Sequence, residues 1–283
     1  QDLFLNETAM YAHVFLPGSS FLEKNGTFTN AERRISRVRK VMAPKNGYED
    51  WQITQMLSNA LGYPMNYKHA SEIMDEVAQL TPTFKGVSYE KLDKLESIQW
   101  PCNDEYPEGT PTMHVDEFVR GKGKFFITEY VPTSEKVNGK FPLIMTTGRI
   151  LAHYNVGAQT RRTKNTEWHD EDLIEIHPHD AEERGINEHD WVGINSRSGN
   201  TVLRAKITSR VQPGVVYTTF HHPVSGANVI TTDNSDWATN CPEFKVTAVQ
   251  VTKVTQPSNW QSKYQKFSEE QIEFVKNGEE KVN

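Results

Sequence analysis

Cysteine is nearly absent: Cys102 and Cys241 are the two in 283 residues, far apart and outside any CxxC spacing. Neither a zinc site nor a thiolate-bound iron-sulfur cluster can be built from this chain alone, and both are expected as reduced, partly buried thiols. No run of about 18 apolar residues occurs, which excludes a membrane-spanning helix. The opening Gln1-Asp2-Leu3-Phe4-Leu5-Asn6-Glu7 lacks the basic and apolar regions of a secretory signal, so a soluble, cytoplasmic chain is expected. It also lacks an initiator Met, which fits a fragment or a processed product. Positive charge is not in excess; the net charge is −6, and no basic field exists to draw in a polynucleotide. P-loop, GxGxxG, HExxH and GxSxG patterns are all missing, which argues against a self-contained hydrolase or nucleotide-triphosphate enzyme. The glycosylation patterns at Asn6-Glu7-Thr8 and Asn25-Gly26-Thr27 have no secretory context and are read as chance.

What is present divides the chain into two textures. The first part combines helices and loops. The run His13 to Leu16, with Pro17-Gly18-Ser19-Ser20 and a glycine-asparagine loop at 25–30, reads as strand then loop. Apolar residues at 53, 56, 57, 60 and 61 lie on one helical face, predicting a helix over 48–61 with Gly62 just past its end. Ser71 and Ser88 are expected to cap two further helices. Residues 98–123 hold Pro101, Pro107 and Pro111 with little periodicity, so an irregular connection is expected, with a boundary between 120 and 140.

Beyond it come short β runs: 125–131, 143–147, 173–177, 191–195, 202–208, 215–220 and 245–254. Strands separated by turns predict a barrel or sandwich. Arg197-Ser198-Gly199-Asn200 is expected as a hairpin in which Gly199 and Asn200 take positive φ. One helix, over 178–184, is marked by Pro178 at its start, acidic residues in its first turn and Gly185 past its end.

Three segments carry polar side chains too dense for a core element. Thr146-Thr147-Gly148-Arg149 follows an apolar strand, so its amides project beyond the strand's end and Gly148 allows close approach of the backbone. His153, Tyr154, Asn155, Gln159, Thr160, Arg161 and Arg162 fall within ten residues. His221-His222-Pro223 leads into a glycine-bearing loop with Asn228, Thr231 and Thr232. Each could be a plain strand turn or solvated loop. A metal reading of His221 and His222, or of His177 and His179, is set aside, since adjacent histidines on a strand end diverge and no carboxylate or Cys lies at helpful spacing. Asn228 is better read as an amide that both donates and accepts toward a heteroaromatic edge.

Gly26 to Arg34 and Pro242 to Val249 resemble signatures of the molybdopterin oxidoreductases, and residues 147–162 resemble the segment that holds a pterin-guanine dinucleotide in formate dehydrogenase catalytic subunits. The resemblance runs along nearly the whole chain. Such subunits are several times longer and begin with a cysteine-ligated cluster motif, so this chain reads as the C-terminal portion of one. The implied fold is an α/β N-terminal part, the end of a molybdopterin oxidoreductase α/β domain (1–135), then a mostly-β double-psi β-barrel that binds the dinucleotide (136–255), then an amphipathic tail (256–283). The implied cofactor is a pair of molybdopterin guanine dinucleotides with Mo or W. Its implied contacts are Thr147, Gly148, Arg149, His153, Tyr154, Asn155, Thr160, Arg161, His221, His222, Asn228, Thr231, Thr232, Asn240, Phe244 and Lys245, joined by Asn30, Glu32 and Arg33 of the early loop. At position 244 the family more often has Tyr, which puts one ring-edge contact in doubt.

By the same resemblance, formate would be oxidised to CO2, or CO2 reduced, with electrons leaving through iron-sulfur clusters in missing segments or partners toward a diaphorase-type subunit. No catalytic residue and no metal ligand is assigned within this chain. Another dinucleotide-type molybdoenzyme, such as a nitrate or arsenate reductase, and a non-catalytic pterin-binding or assembly subunit stay open. In the tail, Trp260, Tyr264 and Phe267, followed by Ile272, Phe274 and Val275, form an aromatic and apolar stripe of the kind that docks on its own protein or on another subunit.

Overall fold

A computed structural model describes residues 1–280; the side-chain surroundings of residues 10, 271, 272 and 274–280 fall outside that description. The chain divides into two compact units, Gln1–Thr128 and Glu129–Asn283.

In the first unit β1 (Gly26–Thr29), β2 (Arg34–Val38) and β3 (Ser97–Gln99) form an antiparallel sheet in that order. Helices α1 (Asp50–Ala60), α2 (Ala70–Leu80) and α3 (Tyr89–Leu95) accompany it. The expected helix over 48–61 is α1, with Leu61 as its cap and Gly62 just beyond at φ 86°. Ser88 caps α3 by accepting from the Lys91 amide. For α2 the cap lies two residues earlier than expected: the His69 ring accepts from the Ser71 amide. Ile35, Val87, Leu92, Ile98 and Cys102 close the core.

Two expectations fail here. Residues 13–16 form no strand, while 26–29, expected as loop, pair with 35–38. The β-forming Thr27, Phe28 and Thr29 outweigh the glycine because the turn at 30–33 folds the chain back on itself, giving the run a partner. The buried Glu49 fastens this unit. It receives Lys40 Nζ at 2.9 Å, Trp51 Nε1 at 2.9 Å and the Asn25 amide at 3.2 Å. Burial alone would raise its pKa, but Lys40, Trp51 and the Asn25 amide outweigh that and lower it. A lowered folded pKa stabilises above the unfolded value and ceases to as pH falls, so this unit should loosen below about pH 4. Glu49→Gln should cost about 1–3 kcal/mol at neutral pH and flatten that acid limb, as read by urea unfolding across pH; an unchanged midpoint would count against the fastening role.

The second unit is a closed barrel of β4 (Leu143–Gly148), β5 (Leu173–Ile176), β6 (Trp191–Asn195), β7 (Asn200–Ile207), β8 (Val215–Thr219) and β9 (Thr247–Lys253), in the order β4-β8-β5-β7-β6-β9. β4–β8 and β5–β7 are parallel and the other pairs antiparallel. The expected β-barrel is thus present, closed by six strands in mixed pairing, with Leu143, Met145, Ile174, Ile176, Val192, Ile194, Val216 and Val251 filling it. Alternation explains the direction of these side chains: Leu143, Met145 and Thr147 are buried in β4 while Ile144 and Thr146 are less so. Helix α4 (Pro178–Glu183) sits where Pro178 and Gly185 placed it.

The run 125–131, expected as a strand, pairs with no strand among the described residues; Phe125 and Ile127 are almost fully exposed. β propensity is realised only where a sheet edge accepts the backbone, and this run meets none among the described residues. The hairpin at 196–199 forms, but Gly199 and Asn200 do not use positive φ. Gly199 is required for space instead, since a Cβ would fall 2.8 Å from the Val229 carbonyl oxygen.

Helix α5 (Asn259–Glu280) follows the barrel. Trp260 stacks on Tyr264 at 5.8 Å, and Gln261 Nε2 donates to the Val202 carbonyl, so the first turn packs back on its own unit. The side chains of Ile272, Phe274 and Val275 lie outside the described residues. Among the described residues no helix is long and apolar enough to cross a membrane.

Candidate functional site

Barrel topology brings four separate segments to one end. β4 and β8 run parallel, with Gly148 opposite Thr219, so both finish there. β5 is antiparallel to β8 and therefore starts there, and β9 starts there for the same reason beside β4. The loops after β4 and β8, and the segments before β5 and β9, consequently share a rim. Ligands of open sheets collect at the carboxyl ends of strands for a related reason: turns there present free amides.

Hydrogen bonds lock these segments together. Thr147 Oγ1 donates to the Phe244 carbonyl at 3.1 Å, and Lys245 Nζ donates to the Thr147 carbonyl at 2.6 Å. His221 is buried and ties the β8 end to the 149–155 turn: Nε2 accepts from the Ile150 amide at 3.1 Å while Nδ1 meets the Asn155 carbonyl. Only the neutral ring with its proton on Nδ1 satisfies both. Consistently, burial lowers the His221 pKa and outweighs the Asn155 carbonyl and Asp172. His153, also buried, spans Thr160 Oγ1 at 3.0 Å and the His169 carbonyl at 2.7 Å.

Two backbone positions shape the rim. Gly157 at φ 69° packs so that a Cβ would fall 2.8 Å from the His221 carbonyl, which only glycine tolerates. Gly148 grants a close approach, as expected from the sequence, but what comes close is the Tyr217 side chain, 2.5 Å from where a Cβ would sit.

Several groups face outward from this braced floor. The Asn228 carboxamide is exposed and makes no hydrogen bond among the described residues. Arg149 reaches Asn155 only at 3.4 Å and lies 5.2 Å above the Phe220 ring. Tyr154 is 76% exposed, and Asn155 and Asn240 hold left-handed backbone at φ 48° and 54°. Thr231 and Thr232 are buried beneath; Thr231 Oγ1 donates to the Asn228 carbonyl and Thr232 Oγ1 accepts from the Asn234 amide, so both hold the loop. Arg161 Nε is spent on the Val156 carbonyl.

The early-loop residues lie in the first unit and form a self-bonded turn. Asn30 accepts from the Glu32 and Arg34 amides, and Glu32 pairs with Arg34 at 3.0 Å. Arg33, at φ 67°, donates to the carbonyls of Trp100, Thr110 and Pro111.

The residue missing from the sequence reading is Asp172. Its side chain is fully buried and accepts from Thr219 Oγ1 and from the amides of His221 and His222. The statement that no carboxylate serves the paired histidines is therefore corrected: 50 residues of sequence separate Asp172 from His222, and barrel pairing of β5 with β8 removes that separation. Nor do the rings of His221 and His222 part company, since both stand within 6 Å of His153. The burial expectation for the thiols holds for Cys102, whereas Cys241 is exposed.

Fold and rim together define a closed β-barrel whose loop end offers amide, hydroxyl and guanidinium groups, the donors that an anionic heteroaromatic ligand requires. Two family models match: Molydopterin dinucleotide binding domain over residues 143–248 and Molybdopterin oxidoreductase over residues 1–60. The chain thus carries a molybdopterin dinucleotide-binding domain and, ahead of it, a segment of a molybdopterin oxidoreductase domain.

Among relatives, it is 39% identical to the F420-dependent formate dehydrogenase 1 subunit alpha of Methanococcus maripaludis, over 90% of this chain and 38% of that one. It is 42% identical to the F420-dependent formate dehydrogenase subunit alpha of Methanocaldococcus jannaschii, with the same coverage. The chain thus spans well under half the length of these curated relatives. Among solved structures, acetylene hydratase from Pelobacter acetylenicus shares the fold at a TM-score of 0.67 and 17% identity, over 89% of this chain and 39% of that one.

Proposed function

We propose that this chain is the C-terminal portion of a molybdenum or tungsten formate dehydrogenase catalytic subunit, and that the rim of its barrel holds the guanine dinucleotides of the pterin pair. The carrying observation is the convergence of 147–149, 153–161, 219–232 and 244–245 on one braced floor, beside which the Asn228 carboxamide makes no hydrogen bond among the described residues. An exposed amide on a rim that also bears Arg149 fits a purine or pterin edge beside a pyrophosphate.

When bound, the metal-pterin group would supply the two-electron chemistry that interconverts formate and CO2. This chain's residues bind and orient. Arg149 neutralises phosphate charge, Asn228 and the backbone amides about Gly148 and Asn155 read ring edges, and His153, His221, Thr231 and Thr232 hold those groups in place. His222 belongs to the same floor. Asn240, Phe244 and Lys245 close the rim, Phe244 contributing a ring face and no hydroxyl. In the α/β part, Asn30, Glu32 and Arg33 contribute a preformed turn whose polar groups are satisfied internally. Iron-sulfur clusters and the electron acceptor belong to the rest of the catalytic subunit and to diaphorase-type partners, in the cytoplasm.

Asn228→Ala and Arg149→Ala in the whole enzyme test this. Each removes a hydrogen bond to a charged or polar edge worth about 1.5–3 kcal/mol, so pterin content after purification should fall by roughly tenfold or more. Formate-dependent dye reduction should fall with it. Full pterin content in both variants would overturn the assignment of the rim, and nitrate-dependent dye oxidation without formate activity would overturn the substrate.

A further inference from the structure

A second cluster lies in the same unit and uses none of the outward groups just described. His169 and Asp172 flank the turn into β5, and His222 stands just past β8. One ligand atom from each lies within 4.8 Å of the others. His222 Nδ1 is 3.3 Å and His169 Nε2 3.8 Å from Asp172 Oδ1. Ligand atoms around a tetrahedral zinc with bonds of about 2.0–2.2 Å stand roughly 3.4 Å apart, so these separations already approximate a coordination sphere.

The state of His222 points to a missing partner. Its side chain is 9% exposed, and neither ring nitrogen makes a hydrogen bond among the described residues; Nδ1 faces Asp172 without the alignment a hydrogen bond needs. Buried polar atoms are rarely left so, and one aimed at a carboxylate shared with a second imidazole is placed as a metal ligand would be. Asp172 is a fully buried anion, for which a dication is an effective counter-charge. The neighbouring His153 is not available as a fourth ligand, because both its nitrogens are engaged by Thr160 and the His169 carbonyl.

We propose that His169, Asp172 and His222 bind a divalent transition metal, zinc foremost, which fastens the turn into β5 to the end of β8. Two imidazoles and one carboxylate form a borderline donor set, well suited to zinc and poorly suited to magnesium or calcium. The ligands are protein side chains, so this ion is separate from any metal carried by a pterin, and the inference does not depend on the proposed activity. The other cluster of ligand-type residues among those described, His179, Asp180 and Glu183 on α4, has exposed His179 and Glu183 and no buried, unpartnered imidazole nitrogen, and serves as the control.

The test uses the whole enzyme as purified. It is stripped with a chelator, titrated with Zn2+ or Co2+, desalted and assayed for metal content and for cobalt ligand-field absorption. One zinc per chain should be retained and the cobalt form should absorb visibly. His169→Gln and His222→Gln should each lose the ion, and His179→Ala should keep it. An anomalous difference map at the zinc edge on unaltered protein should peak between the three side chains, and this readout stands even where a variant fails to fold. No retained zinc, a peak elsewhere, or equal zinc in a folded His222→Gln variant would overturn the proposal. Loss of zinc with pterin content intact would leave it standing whatever becomes of the formate reading.

Discussion

Asp172→Ala should lower the stability of the barrel unit by about 3–5 kcal/mol, the usual cost of removing one partner from a buried charged network. The carboxylate has no solvent exposure, and its removal strands the Thr219 hydroxyl and the amides of His221 and His222 together. Urea unfolding of chelator-treated protein, followed by tryptophan fluorescence, isolates this effect from any bound ion. Asp172→Asn, which keeps one acceptor oxygen, should fall between wild type and Ala. An unchanged midpoint in the Ala variant would sink the account.

The same residue sets an acid limb. Burial alone would raise its pKa, but the His169 and His222 rings, the Thr219 hydroxyl and the His222 amide outweigh that and hold the carboxyl well below the usual carboxylate range. With the folded pKa lowered, the stabilisation is present above the unfolded value near 3.9 and is lost progressively as pH falls below it. The Asn variant should lack that steepness between about pH 4 and pH 2.

His221→Ala should have the second large effect. It leaves the Ile150 amide and the Asn155 carbonyl unpaired and detaches the 149–155 turn from β8, costing about 1–3 kcal/mol. Because the turn carries Arg149 and Asn155, pterin retention should fall by more than the loss of global stability explains. The direction with pH follows from the ring's lowered pKa. The folded state favours the neutral imidazole, so its contribution is present above the unfolded value near 6.5 and declines as pH drops through it. Cofactor content after incubation at graded pH should show this decline in wild type and not in the Ala variant. Equal retention by both at every pH would remove His221 from the bracing role.

Much of this was legible from local signals. The cap at Ser88, the helix start at Pro178, the helix stop at Gly62 and six β runs were correct to within a residue or two, because each rests on neighbours in sequence. The strand expected at 125–131 failed although its composition favours β structure, because pairing is a property of a partner edge and not of the run itself. The candidate segments were found as polar clusters, yet the work inside each was divided differently than their composition suggested. His221 and His153 spend both ring nitrogens on neighbouring groups, and Thr147 spends its hydroxyl on the Phe244 carbonyl. Asp172 had no sequence signal: it is one of three acidic residues in Trp168-His169-Asp170-Glu171-Asp172, and what sets it apart from Asp170 is that it is buried where Asp170 is exposed.

The sequence by itself determined the resemblance to the molybdopterin oxidoreductases, the alternation that fills the barrel, and the residue types offered to a ligand. Those follow from side-chain chemistry and short-range periodicity. Tertiary structure alone decided which polar groups are consumed in bracing the rim, which, such as the Asn228 carboxamide, make no hydrogen bond among the described residues, and which carboxylate meets His169 and His222. These outcomes depend on strand order β4-β8-β5, which brings chain segments 50 or more residues apart within hydrogen-bonding distance, and no local pattern encodes a contact between residues so far apart.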